Sequence, residues 1–139
     1  PKALFLDYDG TLREFEARPE LAVPTDEIMA LLRALNDRVD LEPHIISGRD
    51  TGFLEEHFGG LERFTLIAEH GFKILPPSSQ GVDRTWRLGE DQDDSTVDHD
   101  SWKAIMRTEI MRLVDANPRS HMEEKYFSLV WHFREIDDE

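Results

Sequence analysis

An α/β fold built on a parallel sheet is predicted by two features of the sequence. Apolar runs end in polar residues at Ala3-Leu4-Phe5-Leu6, Ile45-Ile46 and Thr65-Leu66-Ile67-Ala68. Amphipathic helical patterns separate them, giving the order strand, helix, strand, helix, strand. A short continuous apolar run suits a strand buried on both faces, as central parallel strands are. The first run ends at Asp7, and a charged loop containing proline leads to Pro24. Thr25 is placed to cap a helix, with Asp26 and Glu27 in the first turn at the positive end of its dipole. Ile28, Leu31, Leu32 and Leu35 recur at i, i+3, i+4 and i+7, one apolar stripe. Asp50 then caps a shorter helix carrying Phe53, Leu54 and Phe58, which Gly59-Gly60 stops.

The organisation changes after Gly71, which divides the chain into parts 1–71 and 72–139. Phe72-Lys73-Ile74-Leu75 and Asp83-Arg84-Thr85-Trp86-Arg87 flank a turn-rich stretch and predict a hairpin with a long tip. An acidic stretch from Glu90 to Asp100 predicts an exposed loop. Trp102 to Ala116 predicts a helix burying Trp102, Ile105, Met106, Ile110, Leu113 and Val114, ended by Asn117-Pro118. Alternation of Phe127, Leu129, Trp131 and Phe133 predicts one or two strands between His121 and Arg134. Trp86, Trp102 and Trp131 are expected in the core of this second part.

Sixteen basic residues against thirty acidic ones give a formal net charge of −14. Such a surface repels nucleic acid and anionic membranes, and neither is expected as a partner. No apolar stretch approaches the roughly 20 residues of a membrane-spanning helix. The absence of cysteine excludes disulfides, thiolate zinc sites and cysteine nucleophiles. The chain begins at Pro1-Lys2 without an initiator methionine, the start expected of a trimmed chain.

Ligands of open α/β sheets bind beyond the carboxyl ends of the strands. All three apolar runs end in reactive residues there: Asp7 with Asp9, Ser47 with Arg49, and Glu69 with His70. Two carboxylates two residues apart are suited to different tasks, Asp7 facing an electrophile or metal and Asp9 holding or delivering a proton. Gly10 allows a sharp turn whose amides are suited to phosphate oxygens.

Asp7-Tyr8-Asp9-Gly10-Thr11-Leu12 resembles the first motif, D-x-D-G-T-[LV], of the haloacid dehalogenase phosphatases. Ile46-Ser47-Gly48-Arg49, Ala68-Glu69-His70-Gly71, and Glu123-x-Lys125-x-x-Ser128 running into Trp131-His132-Phe133-Arg134 follow in the order seen in trehalose-6-phosphate phosphatases. The resemblance spans essentially the whole chain. It implies a haloacid-dehalogenase-like Rossmannoid core, present in part, followed by the beginning of an α+β cap of the C2 type. It also implies a cytoplasmic enzyme of trehalose biosynthesis that hydrolyses a small phosphorylated disaccharide, trehalose 6-phosphate.

By that resemblance Asp7 attacks phosphorus to form an aspartyl-phosphate, and Asp9 protonates the leaving oxygen and then activates water. Mg²⁺ would be held by Asp7 and the main-chain carbonyl of Asp9. Gly10, Thr11, Ser47 and Gly48 would contact the phosphoryl group. Arg49 would support the site or contact the sugar phosphate, and its other reading is a loop-fixing ion pair. Glu69 and His70 are either sugar-site residues or satisfied loop residues. Glu123, Lys125 and, more weakly, Ser128 are assigned to disaccharide hydroxyls, and His132 to structure. On one straight strand parity separates Glu123 and Lys125 from Ser128 and His132, so either a turn intervenes near Tyr126-Phe127 or some of the four are structural.

Gly89-Glu90-Asp91-Gln92-Asp93-Asp94 imitates the family's fourth motif, G-D-D-x-x-D, yet follows no apolar strand and is expected to be a solvated loop. The family's lysine motif and fourth acidic motif are therefore lacking. A truncated chain, a split gene, or a second chain or self-association that completes the core is expected, with weak or no activity for these residues alone. Two alternatives stay open: another phosphosugar, such as sucrose phosphate or mannosylglycerate phosphate, and a non-catalytic assembly subunit.

Overall fold

The computed structural model describes residues 1–16, 18–78, 84–89, 98–133 and 135–136. The chain divides into two compact units, Pro1–Gln92 and Asp93–Glu139. In the first, strands β1 (Lys2–Asp7), β2 (Leu41–Ile46), β3 (Thr65–Ala68), β4 (Lys73–Leu75) and β5 (Arg87–Leu88) form one sheet in that order. The first three are parallel, and β4 and β5 continue the sheet antiparallel. Helices α1 (Asp26–Asn36) and α2 (Thr51–Phe58) make the crossovers. Both begin at the predicted caps: Thr25 Oγ1 accepts from the Ile28 amide at 3.3 Å, and Asp50 Oδ1 from the Phe53 amide at 2.8 Å.

Register explains where the core lies. Leu6, Ile45, Leu66 and Leu75 form one row across the sheet, and Leu32 of α1 with Leu54 and Phe58 of α2 packs in the same cluster. The opposite face carries Phe5 beside His44, and Asp7 beside Ile46 and Ile67. Phe5 is 59% exposed despite stacking on His44, with ring centroids 4.3 Å apart. The expectation that β1 is buried on both faces is thus corrected. Among the described residues β1 is an edge strand, and both helices serve the other face. Leu31 also leaves the predicted stripe and is exposed, while Met29 packs against the core beside Ile28 and Leu35.

The predicted boundary after Gly71 falls inside the first unit, because the hairpin of β4 and β5 extends the core sheet. Trp86, expected in the second part, packs against the first unit's core and donates Nε1–H to Glu55 at 2.9 Å. Arg84 fastens this return. Its guanidinium donates to the carbonyls of Pro76 (2.8 Å), Gly59 (3.0 Å), Leu61 (3.3 Å) and Phe64 (2.8 Å). The hairpin tip at 79–83 and the acidic stretch 90–97, with most of the G-D-D-x-x-D look-alike, lie outside the described residues.

In the second unit, α3 (His99–Ala116) is followed by β6 (His121–Glu124) and β7 (Leu129–His132), an antiparallel hairpin. The helix starts earlier than predicted because Asp98 caps it, accepting from the Ser101 amide at 3.1 Å. Its buried side also differs. Lys103 is buried, with Arg107, Ile110 and Val114 partly buried on the same stripe, whereas Ile105 is 68% exposed and Met106 and Leu113 are exposed as well. The physical reason is what the hairpin offers. Lys103 Nζ donates to the carbonyls of Lys125 and Tyr126 and so takes an inner position, while Arg107, its side chain 43% exposed, pairs with Glu124 at 2.8 Å. Among the described residues no helix is long and apolar enough to cross a membrane.

Tyr8 follows Asp7 directly and is fully buried, its hydroxyl donating to the Ala22 carbonyl at 2.7 Å. Burial, opposed by the nearby Arg49 charge, pushes its pKa up to about 12. The unfolded chain loses this proton from about pH 10, so the stabilisation is complete below that pH and is lost as pH rises toward 12. In a Tyr126→Phe background, phenolate absorbance is expected only toward pH 12, together with falling stability. A midpoint near 10 in the folded protein contradicts the assignment.

Candidate active site

Parallel pairing places Asp7, Ile46 and Ile67 level with one another, so the residues that follow them gather at one end of the sheet. After β1 the chain turns sharply. The amides of Thr11, Leu12 and Arg13 all point to the Tyr8 carbonyl, at 3.3, 3.0 and 3.0 Å, and the Gly10 amide donates to the Arg13 carbonyl at 2.7 Å. Gly10 has φ +84°, a conformation that favours glycine, and the exposed Phe15 ring lies over it, 2.6 Å from where a Cβ would stand. The amides of Gly10 and Thr11, expected to meet phosphate, are thus bonded inside the loop. The Thr11 hydroxyl donates to Asp7 Oδ2 at 2.8 Å.

Asp7 and Asp9 occupy different environments. Asp7 is exposed at the strand end. Asp9 is gripped by Arg49, whose Nε lies 2.9 Å from Oδ2 and whose second terminal nitrogen lies 2.7 Å from Oδ1. The other terminal nitrogen donates to the Pro19 carbonyl at 2.8 Å, and the guanidinium sits 4.4 Å from the centroid of the Phe53 ring. Arg49 thus forms an ion pair with Asp9. It spans 40 residues of chain and is largely shielded from water, the arginine side chain being 13% exposed. A bidentate fork of this kind fixes orientation as well as charge.

The turns after β2 and β3 interlock. Ser47 is buried, its hydroxyl accepting from the Arg49 amide at 3.1 Å and its carbonyl from the His70 amide at 3.1 Å. The Glu69 amide donates to the Arg49 carbonyl at 2.9 Å. Glu69 and His70 have φ of 46° and 58°, left-handed conformations that are uncommon for side-chain-bearing residues and cluster at functional sites. Glu69 is buried, and the His70 ring lies so close to Gly48 that a Cβ there would be 2.6 Å from Nε2. Asp7, Asp9, Gly10, Thr11, Ser47, Gly48, Arg49, Glu69 and His70 therefore belong to one end of the first unit.

The remaining predicted residues lie together on the hairpin of the second unit. A turn does intervene: the Lys125 amide donates to the Ser128 carbonyl at 2.9 Å, and β7 runs back along β6. Folding back restores a common face, so His132 reaches Glu123, with Nε2 and Oε2 2.7 Å apart. Glu123 Oε1 is 3.7 Å from Lys125 Nζ. Sequence parity alone missed the His132 contact, although the Asn117-Pro118 and Tyr126-Phe127 breaks mark the length of the hairpin. Arg134 lies outside the described residues.

At the end of β1 the exposed Asp7 carboxylate offers oxygen donors of the kind a hard divalent cation takes. Among the described residues no group of three or more His, Asp or Glu side chains is placed to hold a metal ion. Oxygen donors fit Mg²⁺ in kind, and its habit of keeping several waters tolerates a short protein ligand list.

A parallel sheet with paired aspartates after its first strand and a Ser-Gly-Arg turn after its second defines a haloacid-dehalogenase-like core. A family model described as trehalose-phosphatase matches residues 5–139, and the chain belongs to that family. It is 34% identical over 130 residues to a trehalose-phosphatase of Schizosaccharomyces pombe, covering 94% of this chain and 14% of that protein. It is 32% identical over 138 residues to a bifunctional trehalose-6-phosphate synthase/phosphatase of Thermoproteus tenax, covering 99% of this chain and 17% of that one. The solved C-terminal domain of Candida albicans trehalose-6-phosphate phosphatase superposes with a TM-score of 0.84 at 32% identity, over 98% of this chain and 44% of that domain. The chain thus spans less than half of that domain and under a fifth of those curated relatives.

Proposed function

We propose that these residues supply the nucleophile, the acid/base carboxylate and part of the sugar-recognition surface of a phosphatase acting on trehalose 6-phosphate. The observation that carries this reading is the pair Asp7 and Asp9, two carboxylates at one strand end held in different environments within a chain of the trehalose-phosphatase family. Asp7, exposed and oriented by Thr11, attacks phosphorus; the bond to the sugar oxygen breaks and an aspartyl-phosphate forms. Asp9 gives a proton to the departing oxygen and later takes one from the attacking water, steps for which one of its oxygens must leave the Arg49 fork. Ser47 and Gly48 border the phosphoryl group. Arg49 positions Asp9 rather than binding sugar. Glu69 and His70 border the sugar side, and Glu123, Lys125 and Ser128 meet its hydroxyls.

Mg²⁺ bound by Asp7 and the Asp9 carbonyl would offset charge on the phosphoryl oxygens. Among the described residues β1 is an edge strand and Phe5 is exposed, and on these surfaces a further core segment or a second chain would complete the site. A cytoplasmic setting belongs to the same proposal, since phosphorylated sugars are too charged to cross bilayers.

The test is phosphate release by the complete protein, with Mg²⁺, from trehalose 6-phosphate, sucrose phosphate and mannosylglycerate phosphate. Preference for the first supports the reading. Preference for another moves the assignment within phosphosugars, and no turnover on any of them leaves the non-catalytic subunit as the better account. Arg49→Lys is expected to lower kcat about 10- to 100-fold with a smaller change in KM, because a lysine cannot hold both Asp9 oxygens and the Pro19 carbonyl. Equal kcat for the two proteins would show that Asp9 needs no such support.

A further inference from the structure

On the β6–β7 hairpin, His121 faces His132 and Glu123 faces Val130 on one side, while Met122 faces Trp131 and Glu124 faces Leu129 on the other. The second side is tied to α3 through Glu124, which accepts from Arg107 and lies 3.7 Å from Lys103. Glu123 therefore belongs to the side turned from α3. A carboxylate only accepts, so the His132 Nε2 in contact with Glu123 Oε2 carries the proton. The ring is held in turn by His121, with centroids 4.8 Å apart and planes 21° from parallel. Among the described residues, the charged and titratable groups around the imidazole are Glu123, His121 and, through Glu123, Lys125.

We infer that His132 is a positioning residue for substrate recognition: it anchors one oxygen of Glu123 and so fixes how the other oxygen, together with Lys125, is presented to a sugar. The inference rests on the proposed role of Glu123 in binding the phosphorylated disaccharide. An unanchored glutamate samples several rotamers, and binding must then supply the entropy of ordering it. The lysine is already restrained, its side chain 12% exposed and its carbonyl held by Lys103. Glu123, 37% exposed, is the member of the pair that needs an anchor.

Two substitutions separate the hydrogen bond from the ring. His132→Phe keeps a ring against His121 and removes the donor, whereas His132→Gln removes the ring and keeps a donor able to reach Glu123. In the complete protein, His132→Phe is expected to raise KM for trehalose 6-phosphate about tenfold with kcat nearly unchanged, and His132→Gln to stay within about threefold of wild type. Turnover of p-nitrophenyl phosphate, which has no sugar, should be unaffected in both. The reverse order, with Gln impaired and Phe normal, shows that the ring acts by packing alone and overturns the inference, as does an unchanged KM for His132→Phe. If His132→Phe does not fold, His132→Ala carries the same expectation. Glu123→Gln distinguishes the two levels: an unchanged KM there refutes the role of Glu123 itself, whereas a raised KM there with a normal His132→Phe refutes only the role of His132.

Discussion

Asp7→Asn is expected to lower phosphate release by the complete protein on the order of 10⁴-fold or more while leaving the fold intact. The amide has nearly the shape of the carboxylate but lacks its negative charge and is a far poorer nucleophile toward phosphorus. The fold should tolerate the change because Asp7 is exposed and its hydrogen bond to the Thr11 hydroxyl is kept by an amide oxygen. Activity and thermal midpoint measured on the same preparation decide the matter. Near-normal turnover removes Asp7 from the chemistry, and a collapsed midpoint assigns it to structure. Asp9 is not equivalent. Removing its carboxylate also strands the Arg49 guanidinium, so Asp9→Asn should cost stability as well as activity.

Arg84→Met is expected to destabilise the chain by about 3–4 kcal/mol, a large share of the stability of a small domain. The guanidinium donates to carbonyls of Gly59, Leu61 and Phe64, which lead from α2 into β3, and to Pro76 just after β4. Methionine fills similar space and leaves those partly buried acceptors without a donor. Burial pulls the arginine pKa below its ordinary value, opposed by the charges of Glu62 and Glu55. Urea unfolding should show a lower midpoint with an unchanged slope. A loss below about 1 kcal/mol would mean that water replaces arginine at these carbonyls.

The sequence was most informative where one residue's chemistry acts locally. The caps at Thr25 and Asp50 and the three parallel strands with their polar ends are short-range features and appear as expected, whereas, among the described residues, the arm predicted at Asp83–Arg87 is strand only at Arg87–Leu88. It was less informative where the outcome depends on what an element meets. The apolar run of β1 has the composition of a central strand, but its exposure depends on neighbours to which Leu4-Phe5-Leu6 makes no reference. Ile105, Met106 and Leu113 mark an apolar stripe on α3, yet the hairpin offers carbonyls, and Lys103 turns inward instead. Arg49 carried two readings because a guanidinium suits a phosphate and a carboxylate equally well; the partner 40 residues away is a fact of the fold. Pairing of His132 with Glu123 likewise required the turn at Lys125–Ser128, which reverses the strand and changes which parities share a face.

The most direct test of the account is to quench the complete protein early in turnover of trehalose 6-phosphate and locate the phosphoryl group by mass spectrometry. One acid-stable, hydroxylamine-sensitive acyl phosphate is expected on the peptide containing Asp7, absent from Asp7→Asn. Steady turnover with no phosphorylated aspartate, or with the group on another residue, contradicts it.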